Sequence, residues 1–198
     1  MFKGGLLRIR GKNVSNNIKS FLREKFTHAG AFVYPLEKSL ALILEPGINV
    51  DFYKGLIEEV FRNFGIRVRI AISCDRTILK VLDRAYYNLR SSEVENIVYD
   101  VNECRIEELI SLFIPNYTLL NMSFSKYMKM LSQTFNVAVK YEGIIIPYEN
   151  GSYIGFIPKE GIKDVIPFRK YLGIGVHEKP SVAVKNAISD FKGELHEN

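Results

Sequence analysis

Two stretches of the chain share one pattern: YPLEKSLALILEP at 34–46 and IPYENGSYIGFIP at 146–158. In each, an apolar run ends in a proline, a polar turn follows, a second apolar run begins, and another proline closes it eleven residues after the first. Proline has no N–H to give to a β-ladder, so it marks a strand end or a sheet edge. Two apolar runs joined by a short polar turn predict a hairpin. A hairpin that recurs in the second half of a 198-residue chain argues for two copies of one module, because repetition of a unit is stronger evidence for two domains than length alone.

The residues around the first hairpin supply the rest of the module. GGLLRIRG (4–11) alternates apolar and basic residues between glycines and reads as a short strand. NVSNNIKSFLREKF places Ile18, Phe21, Leu22 and Phe26 at helical spacing, with Asn13, Ser15 or Asn16 as candidate caps. Past the hairpin, VDFYKGLIEEVFRNFG carries Phe52, Leu56, Ile57, Val60, Phe61 and Phe64 on one helical stripe and ends at Gly65. IRVRIAIS (66–73) is a strand with Arg67 and Arg69 on one face, and DRTILKVLDRAYYNLR (75–90) is a helix with Asp75 as its expected cap. The order strand, helix, strand, strand, helix, strand predicts an α+β domain in which two right-handed units interleave into a four-stranded antiparallel sheet, helices on one face.

The second half repeats the plan. Between the halves, VENIVYDV reads as a strand and CRIEELISLFI as a helix stopped by Pro115, which gives domains at 1–100 and 117–198 joined by a helical linker at 101–116. YTLLNM (117–122) is the expected first strand, and SFSKYMKMLSQTF a helix capped by Ser123 or Ser125. VAVKYEGIIIPYENGSYIGFIP is the second hairpin, KEGIKDVIPF a shortened helix, KYLGIGVH a strand, and KPSVAVKNAISDFK a last helix with Pro180 in its first turn. The expected fold class is therefore α+β: two tandem ferredoxin-like βαββαβ domains with antiparallel sheets.

Composition narrows the classes. With 47% hydrophobic and 25% charged residues, the chain has material for a core and no signature of disorder. A net charge of +5 permits a polyanionic partner without demanding one. Cys74 and Cys104 stand apart from each other and from any His, which predicts neither a zinc site nor a disulfide framework and favours a reducing, cytoplasmic setting. Arg8 and Arg10 interrupt the apolar positions of the first residues, unlike a signal-peptide core. No later apolar run approaches the roughly 20 residues that span a bilayer, so no membrane partner is expected.

The duplicated strand-helix-strand-strand-helix-strand plan with a central hairpin resembles the palm-type domains of nucleotidyl cyclases and GGDEF proteins. Two copies in one chain are most similar to the archaeal GTP cyclohydrolases of the third type. That resemblance implies a metal-binding Asp at the end of the first strand, another in the hairpin turn, and glycines that let a triphosphate approach a magnesium ion. Here the first strand end reads RIRGKN and its hairpin PLEKSL, offering Arg8, Arg10 and Glu37. The second copy reads LLNMSFS and YENGSY, offering Asn121, Ser123 and Glu149. Neither presents a pair of carboxylates, so no metal site is expected and both copies look degenerate for metal.

The residues that could still meet a phosphate or nucleotide are Arg8, Arg10, Lys12, Asn121, Ser123, Glu149, Asn150, Gly151, Ser152 and His177. Asn150 and Gly151 could turn backbone N–H groups toward an anion, although Asn-Gly is a hairpin signal on geometry alone. Arg8 and Arg10 together with Arg67 and Arg69 could form one basic face if their strands are neighbours, suited to phosphates or RNA backbone. His177 stands where a strand meets a helix N-terminus, while His28 and His196 have no visible partner. Ser73-Cys74-Asp75 puts a thiol near a helix start. Tyr86, Tyr87, Tyr127, Met128 and Met130 follow helix spacing as core or interface, and what remains exposed of them could hold a second subunit or another protein. The leading expectation is a non-catalytic or diverged palm protein that binds a nucleotide or assembles with a partner. The alternatives are a magnesium-dependent GTP cyclohydrolase with displaced ligands such as Glu37, Asp75 or Glu149, and an RNA-binding tandem ferredoxin-like protein with His28 as a conceivable base.

Overall fold

The computed structural model describes residues 1–10, 15–37, 39–91, 95–101 and 104–196, the last four by their backbone. Lys12, Asn13 and Lys38 lie outside the described residues. The chain forms two compact units, Met1–Arg76 with Lys80–Ile106, and Glu107–Asn198 with Thr77–Leu79. Each contains a sheet with helices, and the two are tandem ferredoxin-like, palm-type domains.

Unit 1 runs β1 (Phe2–Arg10), α1 (Asn16–His28), β2 (Phe32–Pro35), β3 (Leu40–Glu45), α2 (Val50–Phe64), β4 (Arg67–Asp75), α3 (Ile78–Ser91) and β5 (Ile97–Asp100). The sheet order is β2-β3-β1-β4-β5, with β1 antiparallel to both β3 and β4, and β5 added parallel to β4. Period-two alternation sends Leu7, Ile9, Ile43, Val68, Ile70 and Ile72 to one face, where they pack with Ile18, Leu22 and Phe26 of α1 and Tyr53, Leu56 and Val60 of α2. Each such side chain fully buried contributes about 1.5–3 kcal/mol. Helix α2 is bounded as its sequence predicts: Asn49 Oδ1 accepts a hydrogen bond from Phe52 N at 3.1 Å, and Gly65 closes the helix at φ +64. On the opposite face, Arg84 of α3 donates to the Cys74 carbonyl (3.0 Å), to Asp75 (3.3 Å) and to Asp100 (2.7 Å). Asp75 thus ends β4 and pairs with α3; it also accepts from Arg76 N at 2.7 Å, and α3 begins at Ile78, later than the expected cap.

Cys74 and Cys104 are joined in a disulfide, with their Cα atoms 6.0 Å apart. The reading of two isolated thiols is corrected, and with it goes the argument from thiols for a reducing compartment. The reason is topological. The α3 crossover returns the chain to β5 alongside β4, so residues 30 apart in sequence become neighbours in space. Closing a loop of that size constrains the unfolded chain by about 3–4 kcal/mol. Among the described residues no helix is long and apolar enough to cross a membrane.

Unit 2 runs β6 (Leu109–Ile114), a 3-10 turn at Tyr117–Leu119, α4 (Phe124–Lys140), β7 (Ile144–Pro147), β8 (Tyr153–Pro158), the short α5 (Ile162–Val165) continuing into 3-10 turns to Tyr171, β9 (Gly173–His177) and α6 (Pro180–His196). The order β7-β8-β6-β9 reproduces β2-β3-β1-β4 of unit 1. The helix expected in the 101–116 linker and the strand expected at 117–122 are both corrected: LISLFI is the central strand and YTL a single turn. A strand covered on both faces reads as a continuous apolar run and cannot be told from a buried helix by periodicity. Ile110 and Leu112 pack with Val137 and Val165 on one side, and Phe113 meets Phe191 of α6 on the other, ring centroids 5.5 Å apart. Likewise VAVK, expected to open the hairpin, extends α4, because Val137 and Ala138 are buried in that core.

Helix α6 lies directly on β9. A Cβ added at Gly173 would stand 1.8 Å from the Ala187 carbonyl oxygen, and one at Gly175 2.0 Å from that of Ala183. Gly173→Ala therefore lifts α6 off the sheet, and a denaturant titration should show a loss of about 1–3 kcal/mol or more. The same change at Gly55, where a Cβ meets nothing within 4 Å, should stabilise or leave stability unchanged.

Candidate anion-binding site

The two ends of the unit 1 sheet differ in chemistry. At the end formed by the start of β1 and the end of β3, Lys3 and Glu45 are register partners and both are buried. Lys3 Nζ lies 3.1 Å from Glu45 Oε1, donates to Tyr99 Oη at 2.6 Å and also reaches the Ile48 carbonyl. Glu45 accepts from the Tyr53 hydroxyl at 2.8 Å and from Ile48 N, while Tyr99 Oη donates to the Ile48 carbonyl at 3.1 Å. Burial raises the Glu45 carboxyl above its ordinary range despite the ammonium beside it, and burial together with the Glu45 charge pushes the Tyr53 phenol well up. These groups satisfy one another in a closed network.

The other end carries the arginines. Residues 8 and 10 of β1 face away from the α1 and α2 core, and the antiparallel register sets Arg8 opposite Arg69 and Arg10 opposite Arg67. Cα atoms of directly opposed residues stand about 4.5–5.5 Å apart. Arg10 and Arg67 are exposed and Arg8 is half-buried. Arg69 is buried, and its Nε donates to the Glu95 carbonyl at 3.1 Å, which leads into β5. Like charges directly opposite destabilise a ladder, so two stacked Arg–Arg pairs favour anions close by. The β2–β3 hairpin turn lies at this same end: Ile9 N donates to the Ser39 carbonyl at 2.8 Å, and Leu36 N and Glu37 N donate to the Leu40 carbonyl at 2.9 and 3.1 Å. Helix α1, which packs on the other face of the sheet, has Ser15 at its N-cap and no acidic residue in its first turn.

In unit 2 the equivalent end is built around a side-chain amide and carries the carboxylate residue Glu149 in its turn. Asn116 follows β6 and uses its whole amide: Nδ2 donates to the Asn150 carbonyl at 2.8 Å, and Oδ1 accepts from Thr118 N at 3.1 Å. The YENGSY turn has Asn150 at φ 54 and Gly151 at φ 73, as an Asn-Gly hairpin requires. Tyr148 N donates to the Ser152 carbonyl at 2.8 Å, and Ser152 Oγ to the Glu149 carbonyl at 2.5 Å. Ser123 caps α4, its hydroxyl accepting from Lys126 N at 3.4 Å, and Asn121 lies exposed before it. His177 is elsewhere: it pairs in register with Leu109 at the start of β6, about five strand residues or roughly 17 Å from the turn. Its Nδ1 accepts from Lys179 N at 2.9 Å.

The structure thus gathers Arg8 and Arg10 with Arg67 and Arg69 in unit 1, and Glu149, Asn150, Gly151 and Ser152 around Asn116 in unit 2. Glu37 and Asp75 lie at opposite ends of their sheet, about 20 Å apart along β4. Among the described residues no group of three or more His, Cys, Asp or Glu converges as a metal site would. His28 sits in the last turn of α1 with Nδ1 against the Glu24 carbonyl at 2.9 Å. Sequence reasoning missed Asn116, whose signal was its place directly after an apolar run and a proline, and missed Lys3, Glu45, Tyr53 and Tyr99, whose partnership follows from sheet register alone.

No protein-family model and no curated protein matches the chain. Among solved structures it is similar to two of a bacterial light-regulated adenylyl cyclase. One has 10% identity and a TM-score of 0.31 and covers 100% of this chain and 87% of the other; the second has 12% identity and 0.25, covering 89% and 72%. Likeness at that level carries no argument about activity.

The closed network makes its own prediction. Glu45→Ala leaves a buried ammonium without its counter-charge and should cost about 3–5 kcal/mol in denaturant unfolding. Because burial raises the Glu45 carboxyl in the folded state above the value of 4.5, the folded chain holds a proton that the unfolded chain has released just above that pH. The contribution of this group to stability is full below 4.5 and falls as pH rises into the window above it. Unfolding curves collected across that window should show the slope in the native chain and lack it in Glu45→Gln.

Proposed function

We propose that the chain is a palm-type nucleotide-binding module that holds the phosphates of its ligand with the arginines of unit 1 and without a metal ion. The observation that carries this reading is the facing of Arg8 with Arg69 and Arg10 with Arg67 beside the hairpin turn. Guanidinium groups present planar forks of donors that match phosphate oxygens two at a time. The charge on a triphosphate, which a magnesium ion would neutralise in the proteins this fold resembles, is met here by fixed cations. Exposed Arg10 and Arg67 make the outer contact and half-buried Arg8 the inner one. Buried Arg69, tied to the Glu95 carbonyl, orients the row.

Calorimetric titration with GTP, ATP and inorganic triphosphate, with and without magnesium, tests the reading. Binding should occur without magnesium and weaken steeply as salt is raised. The double variant Arg8→Ala with Arg10→Ala, and Arg67→Ala alone, should each lose about tenfold or more in affinity, since a charge-assisted hydrogen bond contributes about 1.5–3 kcal/mol. Magnesium-dependent turnover of GTP, or the absence of binding by all three ligands, overturns it. Tighter binding of a single-stranded oligoribonucleotide than of triphosphate reassigns the arginines to an RNA backbone.

A further inference from the structure

Helix α4 has more apolar surface than its own sheet uses. Its inner face, Tyr127, Met130, Thr134, Val137 and Ala138, is buried. A second line of side chains, Phe124, Met128, Leu131, Phe135 and Val139, recurs in steps of four, three, four and four residues and so forms a separate stripe along the helix. Phe124 is 60% exposed, Met128 45%, Phe135 36% and Val139 73%; Leu131 is half-buried. A helix that packs on one sheet needs a single apolar face, so the second stripe asks for an occupant.

The surroundings of the stripe define that occupant. On one flank of α4, Lys126 lies over the Tyr171 ring at 5.2 Å and Lys140 reaches Asp164 at 2.6 Å, so these cations face α5 and the turn that follows it. The residues that border the stripe on its solvent side are Ser125, Ser132 and Asn136, small and uncharged, with Lys129 beyond them. On the other side the stripe continues onto the sheet: Leu131 and Ile145 of β7 belong to one cluster, and Phe135 meets Tyr153 with ring centroids 5.8 Å apart. Strand β7 is a sheet edge, paired among the described residues with β8 alone, and its Ile144 and Ile145 are half-buried.

We infer that this stripe is the surface through which two copies of the chain pair, with their α4 helices antiparallel about a two-fold axis. An axis between Leu131 and Ser132 sets Phe124 opposite Val139 and Met128 opposite Phe135, larger against smaller, and sets Leu131 near its own copy. One patch serves both partners, as an isologous interface requires. A chain of net charge +5 repels its copy over most surfaces, and this stripe with its neutral border is where two copies meet without opposing charges. Aromatic and Met side chains with charge excluded are the composition of an interface core. A nucleic acid or an anionic membrane would instead draw on the lysines of α4; Lys126 and Lys140 are engaged on the other flank, which leaves Lys129, beyond the neutral border, as the lysine on the solvent side. The helix is about 25 Å long, so the contact falls at or below the roughly 800 Å² per partner of a standard complex, and the pairing is a weak, concentration-dependent one.

Sedimentation equilibrium of the full chain from micromolar to near-millimolar concentration reads this directly. The weight-average mass should rise from 22.7 kDa toward twice that value. Met128→Glu and Val139→Glu, both at exposed positions and checked for folding by circular dichroism, should each weaken the dimer tenfold or more, whereas Lys129→Glu should leave it intact. Ser132→Cys under mild oxidation should give a covalent dimer. A chain that stays monomeric throughout, or a dimer indifferent to both glutamate variants, overturns the inference. So does a monomer that binds vesicles of anionic phospholipid and loses that binding in Met128→Glu.

Discussion

Lys3 and Glu45 meet across β1 and β3, and the rest of unit 1 depends on the register that brings them together. A slip of one residue would turn every side chain of β1 to the opposite face. It would leave an ammonium in one environment and a carboxylate in another, both away from water, and would drive Leu7 and Ile9 out of the core. A buried ion pair adds little net stability compared with an apolar pair, but breaking it is costly. Its role here is to penalise every arrangement except one. The same register then determines what appears at the other end of β1, where Arg8 and Arg10 must face Arg69 and Arg67.

Unit 2 reaches the same strand order by different means. It has no buried ion pair at the corresponding place among the described residues, and its central strand is held by hydrophobic contact on both sides, with α6 seated on two glycines of β9. Its hairpin turn is fastened by Asn116, which reaches from the end of β6 to the Asn150 carbonyl. The hairpin end therefore carries opposed arginines in unit 1 and an amide clasp beside Glu149 in unit 2, although the backbone plan is shared.

The proline-bracketed hairpins were legible because turn chemistry is local: proline and Asn-Gly act through φ and a missing N–H, wherever they occur. The helices α1 and α2 were legible for the same reason, since an apolar stripe at helical spacing states its own periodicity. LISLFI was not, because its answer depends on α6 covering a second face from far along the sequence. The disulfide was hidden by a crossover, and the Lys3–Glu45 pair by register, both of which are properties of paired strands and not of any single segment. Of the candidate site, the alternation of Arg8 with Arg10 and of Arg67 with Arg69 was visible, and their opposition needed the pairing of β1 with β4. His177 was placed correctly at a strand end, but which end of the sheet that strand reaches is set by its antiparallel pairing with β6.

The Cys74–Cys104 bond has a mechanical meaning. The backbone path from β4 to residue 104 passes through α3 and β5, but the covalent path through the sulfurs is far shorter. Tension applied to the chain beyond residue 104 is delivered straight to β4, an interior strand of the sheet flanked by β1 and β5. The intervening helix and edge strand are spared that load, and they can melt or be cleaved without the two ends of the segment separating. The unit is in this sense belted: α3 and β5 lie inside a closed ring, while the strand that carries Arg67 and Arg69 takes the strain.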